Sequence, residues 1–185
     1  MPRGIIFMKL LLSYQLDLDD GPLSAEELES NLEGNLARLS EIVSEEGRVV
    51  VIVDGEDVCG DYSEPLIRLV DQWLRKVNWL ISGDTETLPF RNSEQCFGFV
   101  PTGKGVEFSF YDGTELEIEE YIVEPVLFHL ERLVLESVAL GERVETLLTQ
   151  VNPELVIIDS DCADLKRALE ELKASWRNHQ LHERR

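Results

Sequence analysis

Positive charge is scarce in this chain. Over 185 residues, 17 lysines and arginines stand against 37 aspartates and glutamates, a formal net charge of −20. A field of that sign repels phosphate backbones and anionic lipid, so neither nucleic acid nor membrane is an expected partner. It favours solubility, cations and basic proteins. Long apolar runs are missing too: no window reaches the ~18 apolar residues that a spanning helix needs. The three cysteines, Cys59, Cys96 and Cys162, are odd in number and contain no C-x-x-C. That predicts a reducing, cytoplasmic setting rather than a disulfide scaffold. The opening "MPRGIIFMKLLLSYQ" does not read as a signal peptide, because Lys9 interrupts it and no small-residue cleavage site follows. Met8 is a second candidate start beside Met1.

Motifs that carry chemistry are equally thin. The histidines are His129, His179 and His182, without H-x-x-x-H or H-E-x-x-H, so a zinc site is not expected. No G-x-S-x-G occurs. "PTGKG" lacks the P-loop spacing, and "DLDDG" from Asp17 lacks the spacing of a calcium loop. Cys59 with His129 as a nucleophile pair is weighed against three buried packing cysteines, and packing is preferred. Trp73, Trp79 and Trp176 read as core or interface rather than as a ligand cage. No cofactor is expected.

Acid is what the sequence has, and it is blocked. Gln15 to Glu64 carries 15 acids and 2 bases, and Glu107 to Glu154 carries 12 acids and 2 bases. The last twenty residues, from Lys166, reverse the balance with 6 bases and 3 acids.

The hydropathy pattern supplies the elements. "KLLLSYQLDLDD" alternates, with Leu10, Leu12, Tyr14, Leu16 and Leu18 on one side of a half-buried strand. A helix is predicted from Ser24, where Ser24 and Glu27 make a capping box, to a cap at Gly47. "RVVVIV" is a buried strand. A helix follows over Leu66 to Ile81, with Ser63 as its N-cap and Gly83 as its end. "ETLPF", "QCFGFV", "VEFSFY" and "TELEIEEY" predict a meander, turning at Asp112-Gly113. In its last strand Leu116 and Ile118 point inward. A long helix from Val123 to Gln150, with a candidate kink at Gly141, then "NPELVIID" as strand or connector and a closing helix complete the chain. This order predicts one α+β domain over 1–185: a mixed, mainly antiparallel sheet with helices packed on one face. The β-α-β-α-β-meander core covers 4–122, a helical portion 123–178 and a frayed tail 179–185.

Two acidic loops invite a catalytic reading. "VVVIVDGEDVCGDYSEP", Val49 to Pro65, ends a strand in Asp54, Asp57 and Asp61, and hard cations take oxygens at such strand ends. "DGED" is also turn chemistry, and no basic residue stands nearby in sequence to steady a transferring group. The turn is preferred; a metal-dependent hydrolase on Asp54, Asp57 and Asp61 is the alternative. "LVIIDSDCADL" resembles the first motif of haloacid-dehalogenase-type phosphatases, but 24 residues after Asp161 leave no room for their domain. Asp159 and Asp161 therefore read as a helix N-terminus capped by Ser160.

What remains is surface. Glu115, Glu117 and Glu119 recur at about 7 Å along one face of the predicted strand, with Glu107 across the hairpin. Like charges so placed cost stability, which a basic partner would offset. "DLDDGPLS" (Asp17 to Ser24), the strand "VIVDG" (Val51 to Gly55) and Trp73-Leu74 resemble the small acidic immunity proteins encoded beside toxins. The resemblance implies a non-catalytic protein that masks a basic partner. Self-association through the Trp-bearing helix or the long C-terminal helix, as a homo-oligomer of structural role, is the third reading.

Overall fold

The alternation of the first strand fixes which side of it is wet. In the computed structural model, which describes residues 6–103 and 105–183, Leu10, Leu12, Tyr14, Leu16 and Leu18 all lie in the core. They belong to β1 (Leu10–Leu18), which turns at Gly21 into β2 (Gly21–Ser24). The capping box forms as expected: Ser24 accepts the Glu27 N–H, and the Glu27 carboxylate accepts the Ser24 N–H. The helix it starts is short, however. α1 (Ala25–Ser30) stops at Asn31, whose side chain caps a second turn, α2 (Leu32–Asn35), followed by a 3₁₀ turn over Leu36–Leu39. The single helix expected up to Gly47 is thus broken. Asn31 and Gly34 both weaken a helix interior, and Gly47 is instead a strand residue in β3 (Glu46–Val53).

β3 pairs antiparallel with β1, and β1 pairs with β2. Two short strands, β4 (Glu56–Asp57) and β5 (Glu64–Pro65), also pair with β3. The second sheet is an antiparallel meander, β6 (Glu86–Pro89), β7 (Gln95–Thr102), β8 (Gly105–Gly113) and β9 (Ile118–His129). The hydrogen bond from the Met8 N–H to the Leu127 carbonyl, 2.9 Å, ties the lead-in of β1 to β9 and so links the two sheets.

Two long helices cover the inner faces, and a third lies across them. α3 (Leu66–Leu80) packs on β3, β6 and β7, and α4 (Leu130–Val151) packs on β1, β8 and β9. After the single turn α5 (Leu155–Ile158), α6 (Ser160–Glu183) lies across α3 and α4. Arg68 to Asp161 joins the starts of α3 and α6, so those two run parallel; Lys173 to Glu142 and Lys166 to Glu145 fix α4 against α6. Gly141 allows this approach: a Cβ there would lie 2.9 Å from Leu169 and 3.1 Å from Leu74, and α4 continues through it without interruption. One continuous core results. Trp73 of α3 meets Phe97 and Phe99 edge-on, at 5.4 and 5.2 Å between centroids, with Phe108, Phe110 and Phe128 beside them.

The class is α+β, and both sheets are wholly antiparallel. Several boundaries differ from the sequence reading. The segment from Val123 to His129 is strand, not helix: Pro125 has no N–H to give a helix, and Val123, Val126 and Phe128 suit a pleated, half-buried surface. The expected strand from Thr114 is a loop up to Glu117, closed by hydrogen bonds between Thr114 and Glu117, so Leu116 is 97% exposed rather than inward. Pro65, not Ser63, precedes α3, because the Ser63 hydroxyl donates to Asp17 at 2.6 Å. Asp159, not Ser160, caps α6 by accepting the Cys162 N–H. "LVII" forms the turn α5, and α6 continues to Glu183, past residue 178. The first residues of the expected core, 4 and 5, lie outside the described residues, as do 184 and 185. No helix among the described residues is long and apolar enough to cross a membrane.

Candidate functional site

The three aspartates of the opening loop do not converge. Asp54 sits at φ 51° in a tight turn, and its carboxylate accepts the Lys9 N–H at 2.9 Å. Asp57 faces the other way in function: it pairs with Arg48 at 2.6 Å and accepts the Cys59 N–H. Asp61 borders a separate cavity with Gln15, Asp17 and Ser63. Among the described residues no three histidine, cysteine, aspartate or glutamate side chains gather as metal ligands. The loop does have a base beside it. Arg48, 8% exposed, also donates to the Gly60 carbonyl at 2.7 Å, and so acts as the strut of the turn. Arg48 comes six residues before Asp54 within β3, on the face opposite Val49, Val51 and Val53.

Cys59 is 3% exposed. Burial pushes its thiol well up, and the Asp57 charge adds to that, so it stays protonated and packs. Cys162 is likewise buried, its thiol pushed up to about 12 by burial and by Asp159. His129 is the last residue of β9, just before α4 and not within a helix, and its ring stacks on Phe7.

The predicted carboxylates lie on the outer face of the second sheet. Strand register places Thr87, Gly98 and Ser109 in one cross-strand row, Cys96, Tyr111 and Tyr121 in the next, and Val100, Glu107 and Leu127 in a third. The loop Thr114–Glu117 borders this face. Together they enclose an open groove of about 260 Å³, lined by Glu107, Glu115 and Glu117 over Tyr111, Tyr121 and Pro125. Three of the four predicted glutamates are therefore brought together. Glu119 is exposed on β9 and is not part of the lining.

The electrostatics of the hairpin are one-sided. Over the hairpin, Gly105 to His129, the sequence holds seven carboxylates and no lysine or arginine. Some acids elsewhere are paired, such as Asp20 with Arg38, Asp71 with Arg75, Glu86 with Lys76 and Glu136 with Arg132. Among the described residues, Glu107, Glu115, Glu117 and Glu119 make no ion pair. Burial pushes the Tyr111 phenol up, and the Glu115 charge adds to the rise. Tyr111 and Tyr121 meet edge-on at 6.3 Å.

Apolar groups stand among these charges. Leu116, Ile118, Tyr121 and Ile122 are exposed, at 97%, 46%, 37% and 41%. Sequence reading missed them, because their alternation with glutamate looked like a strand with one dry face. The signal that separates the two cases is Thr114, whose hydroxyl accepts the N–H groups of Leu116 and Glu117 and fixes a loop. Acidic rims around exposed aliphatic and aromatic side chains form a surface suited to amphipathic, basic ligands. No protein-family model, no curated protein and no solved structure matches this chain.

Proposed function

We propose that the protein is a non-catalytic binding module whose β8–β9 hairpin captures a basic protein partner and masks it, in the manner of an immunity or inhibitor protein. One observation carries this reading. The hairpin carries seven carboxylates and no lysine or arginine, and exposed Leu116, Ile118 and Tyr121 line its groove together with Glu107, Glu115 and Glu117. Unpaired like charges on one hairpin destabilise the free protein, and apolar side chains beside them gain from being covered. An arginine or lysine entering the groove meets carboxylates at its head and tyrosine rings along its stem. The charged rim steers the partner, and the apolar centre holds it.

The test uses two variants of equal fold. Glu115→Lys/Glu117→Lys/Glu119→Lys reverses the rim, and Leu116→Ser empties the centre. Titration with a peptide in which arginines alternate with aromatic residues should give saturable binding that weakens with salt. The triple variant should lose both the binding and its salt dependence, while Leu116→Ser should lose affinity but keep the salt slope. Equal binding by the wild type and the triple variant would remove the hairpin from the reading.

A further inference from the structure

Open strand edges in the first sheet are closed by side chains. Glu136 and Arg132 of α4 bond the backbone of β1 at Leu12 and Leu10. On β3, between the stretches paired with β4 and β5, the Tyr62 hydroxyl accepts the Val49 N–H at 3.0 Å and donates to the Val49 carbonyl at 2.8 Å. Other strands at the sheet margins are short: β2 and β6 have four residues each, β4 and β5 two.

β9 is the exception. It is 12 residues long and stands at the end of the second sheet, paired with β8 alone. On its far side the Met8 N–H meets the Leu127 carbonyl, and at Lys9 the chain has already turned away to bond Asp54. From Ile118 to Val126 that edge bonds no backbone or side-chain group among the described residues, and only Val123 in the stretch is buried. An edge of this length leaves its N–H and C=O groups to water and is a template for a further strand. Its charge decides which strand. Glu119, Glu120 and Glu124 are exposed on β9, and the hairpin has no lysine or arginine. A second β9 laid alongside sets glutamate against glutamate. The same carboxylates complement lysine and arginine, and exposed Ile118, Tyr121 and Ile122 offer apolar contact between them. Pro125, without an N–H to give, bounds the usable edge, so Ile118 to Glu124 remains, the length of an ordinary strand.

We propose that the basic partner arrives as an extended strand, its backbone paired along the free edge of β9 from Ile118 to Glu124; this rests on the function proposed above and adds the form that the partner takes. Main-chain hydrogen bonds supply the affinity, and alternate side chains supply the choice of partner. Successive side chains of the added strand point to opposite faces of the sheet. Those on the outer face lie on the side of Tyr121 and of the groove of Glu115 and Glu117, where lysine and arginine are matched.

The experiment titrates the full-length protein with a peptide of about eight residues in which arginines alternate with aromatic residues. A second titration uses the same peptide methylated on every backbone nitrogen, which keeps the side chains but cannot donate to β9. Amide hydrogen exchange is read residue by residue from proton–nitrogen correlation spectra. With the unmodified peptide, exchange should slow by about tenfold or more at those residues of Ile118 to Glu124 whose N–H faces away from β8. The methylated peptide should bind about tenfold more weakly or worse, the weight of one or two lost hydrogen bonds. Binding of the unmodified peptide without that protection, or equal affinity of the methylated one, would overturn the strand pairing and leave capture by side chains alone. No binding of the unmodified peptide would overturn both readings of the hairpin. Protection in the protein alone, growing with its concentration, would give the edge to a second copy and overturn the proposal.

Discussion

Glu136 of α4 accepts the backbone N–H of Leu12 of β1 at 3.0 Å, and the carboxylate is held in turn by Arg132 at 2.7 Å. Arg132 donates to the Leu10 carbonyl, so one helix supplies both an acceptor and a donor to the free edge of a strand. Two side chains thus stand where another strand would pair. Glu136→Leu leaves the buried Leu12 N–H without an acceptor, at a cost of about 1–3 kcal/mol. Glu136→Gln, which keeps an acceptor, should cost less. Denaturant melts of both variants check the order, and equal losses would show that packing rather than the hydrogen bond is at work.

Trp73 makes the second buried contact of this kind. Its indole donates to Ser137, and Ser137 donates to the Leu133 carbonyl. Ser137→Ala should therefore destabilise by about 1–3 kcal/mol, although it removes one oxygen atom only. Trp73→Ala, which empties the meeting point of α3 and the phenylalanine sheet, should cost roughly 3–5 kcal/mol. Thermal unfolding followed by near-ultraviolet circular dichroism reads both.

Gly47 predicts a backbone effect. A Cβ there would lie 2.2 Å from the Gln15 carbonyl oxygen, a backbone atom of the neighbouring strand. Gly47→Ala must displace the β1–β3 ladder and should destabilise by about 1–3 kcal/mol. Gly55→Ala, where the new methyl group meets open space but φ is 98°, tests conformation without contact. A milder loss at Gly55 than at Gly47, measured by denaturant unfolding, is the expected order.

Stability should pass through a maximum as pH falls from neutrality. Burial raises the Asp71 carboxyl above its usual 3.8, against the pull of Arg75, and burial with Asp19 and Glu41 raises Glu45 above 4.5. A raised carboxyl binds its proton more tightly in the folded state, so stability grows as pH drops through the folded value toward the unfolded one. Glu26 behaves in the opposite sense. Backbone and Arg143 hydrogen bonds hold it below 4.5 despite burial, so its stabilisation is present above 4.5 and lost as pH falls through its folded value. A melting-temperature series from neutral to strongly acid pH should rise and then fall. Asp71→Asn should flatten the rising limb, and a series that only declines would refute the assignment.

Legibility in the sequence followed locality. β1 was readable because five apolar residues alternate without interruption, and the Ser24–Glu27 capping box because it is a four-residue device. The α+β class followed from the order of such segments. Val123 to His129 was not readable: its spacing fits a helix, and pairing with β8, a tertiary fact, decided for strand. At the hairpin, Glu107, Glu115 and Glu117 were found from charge alone, but the apolar centre of Leu116, Ile118 and Tyr121 needed the loop geometry.

The link between Met8 and Leu127 bears on synthesis as well as on structure. A nascent chain that has emerged only as far as β8 holds β1 without β9 and both sheets without α4. Its phenylalanine-rich face is bare at that stage, and 21 of the 37 acids are in place against 9 of the 17 bases. Net charge is then what keeps the unfinished chain from its neighbours, until the last third of the protein arrives and the two ends close on each other.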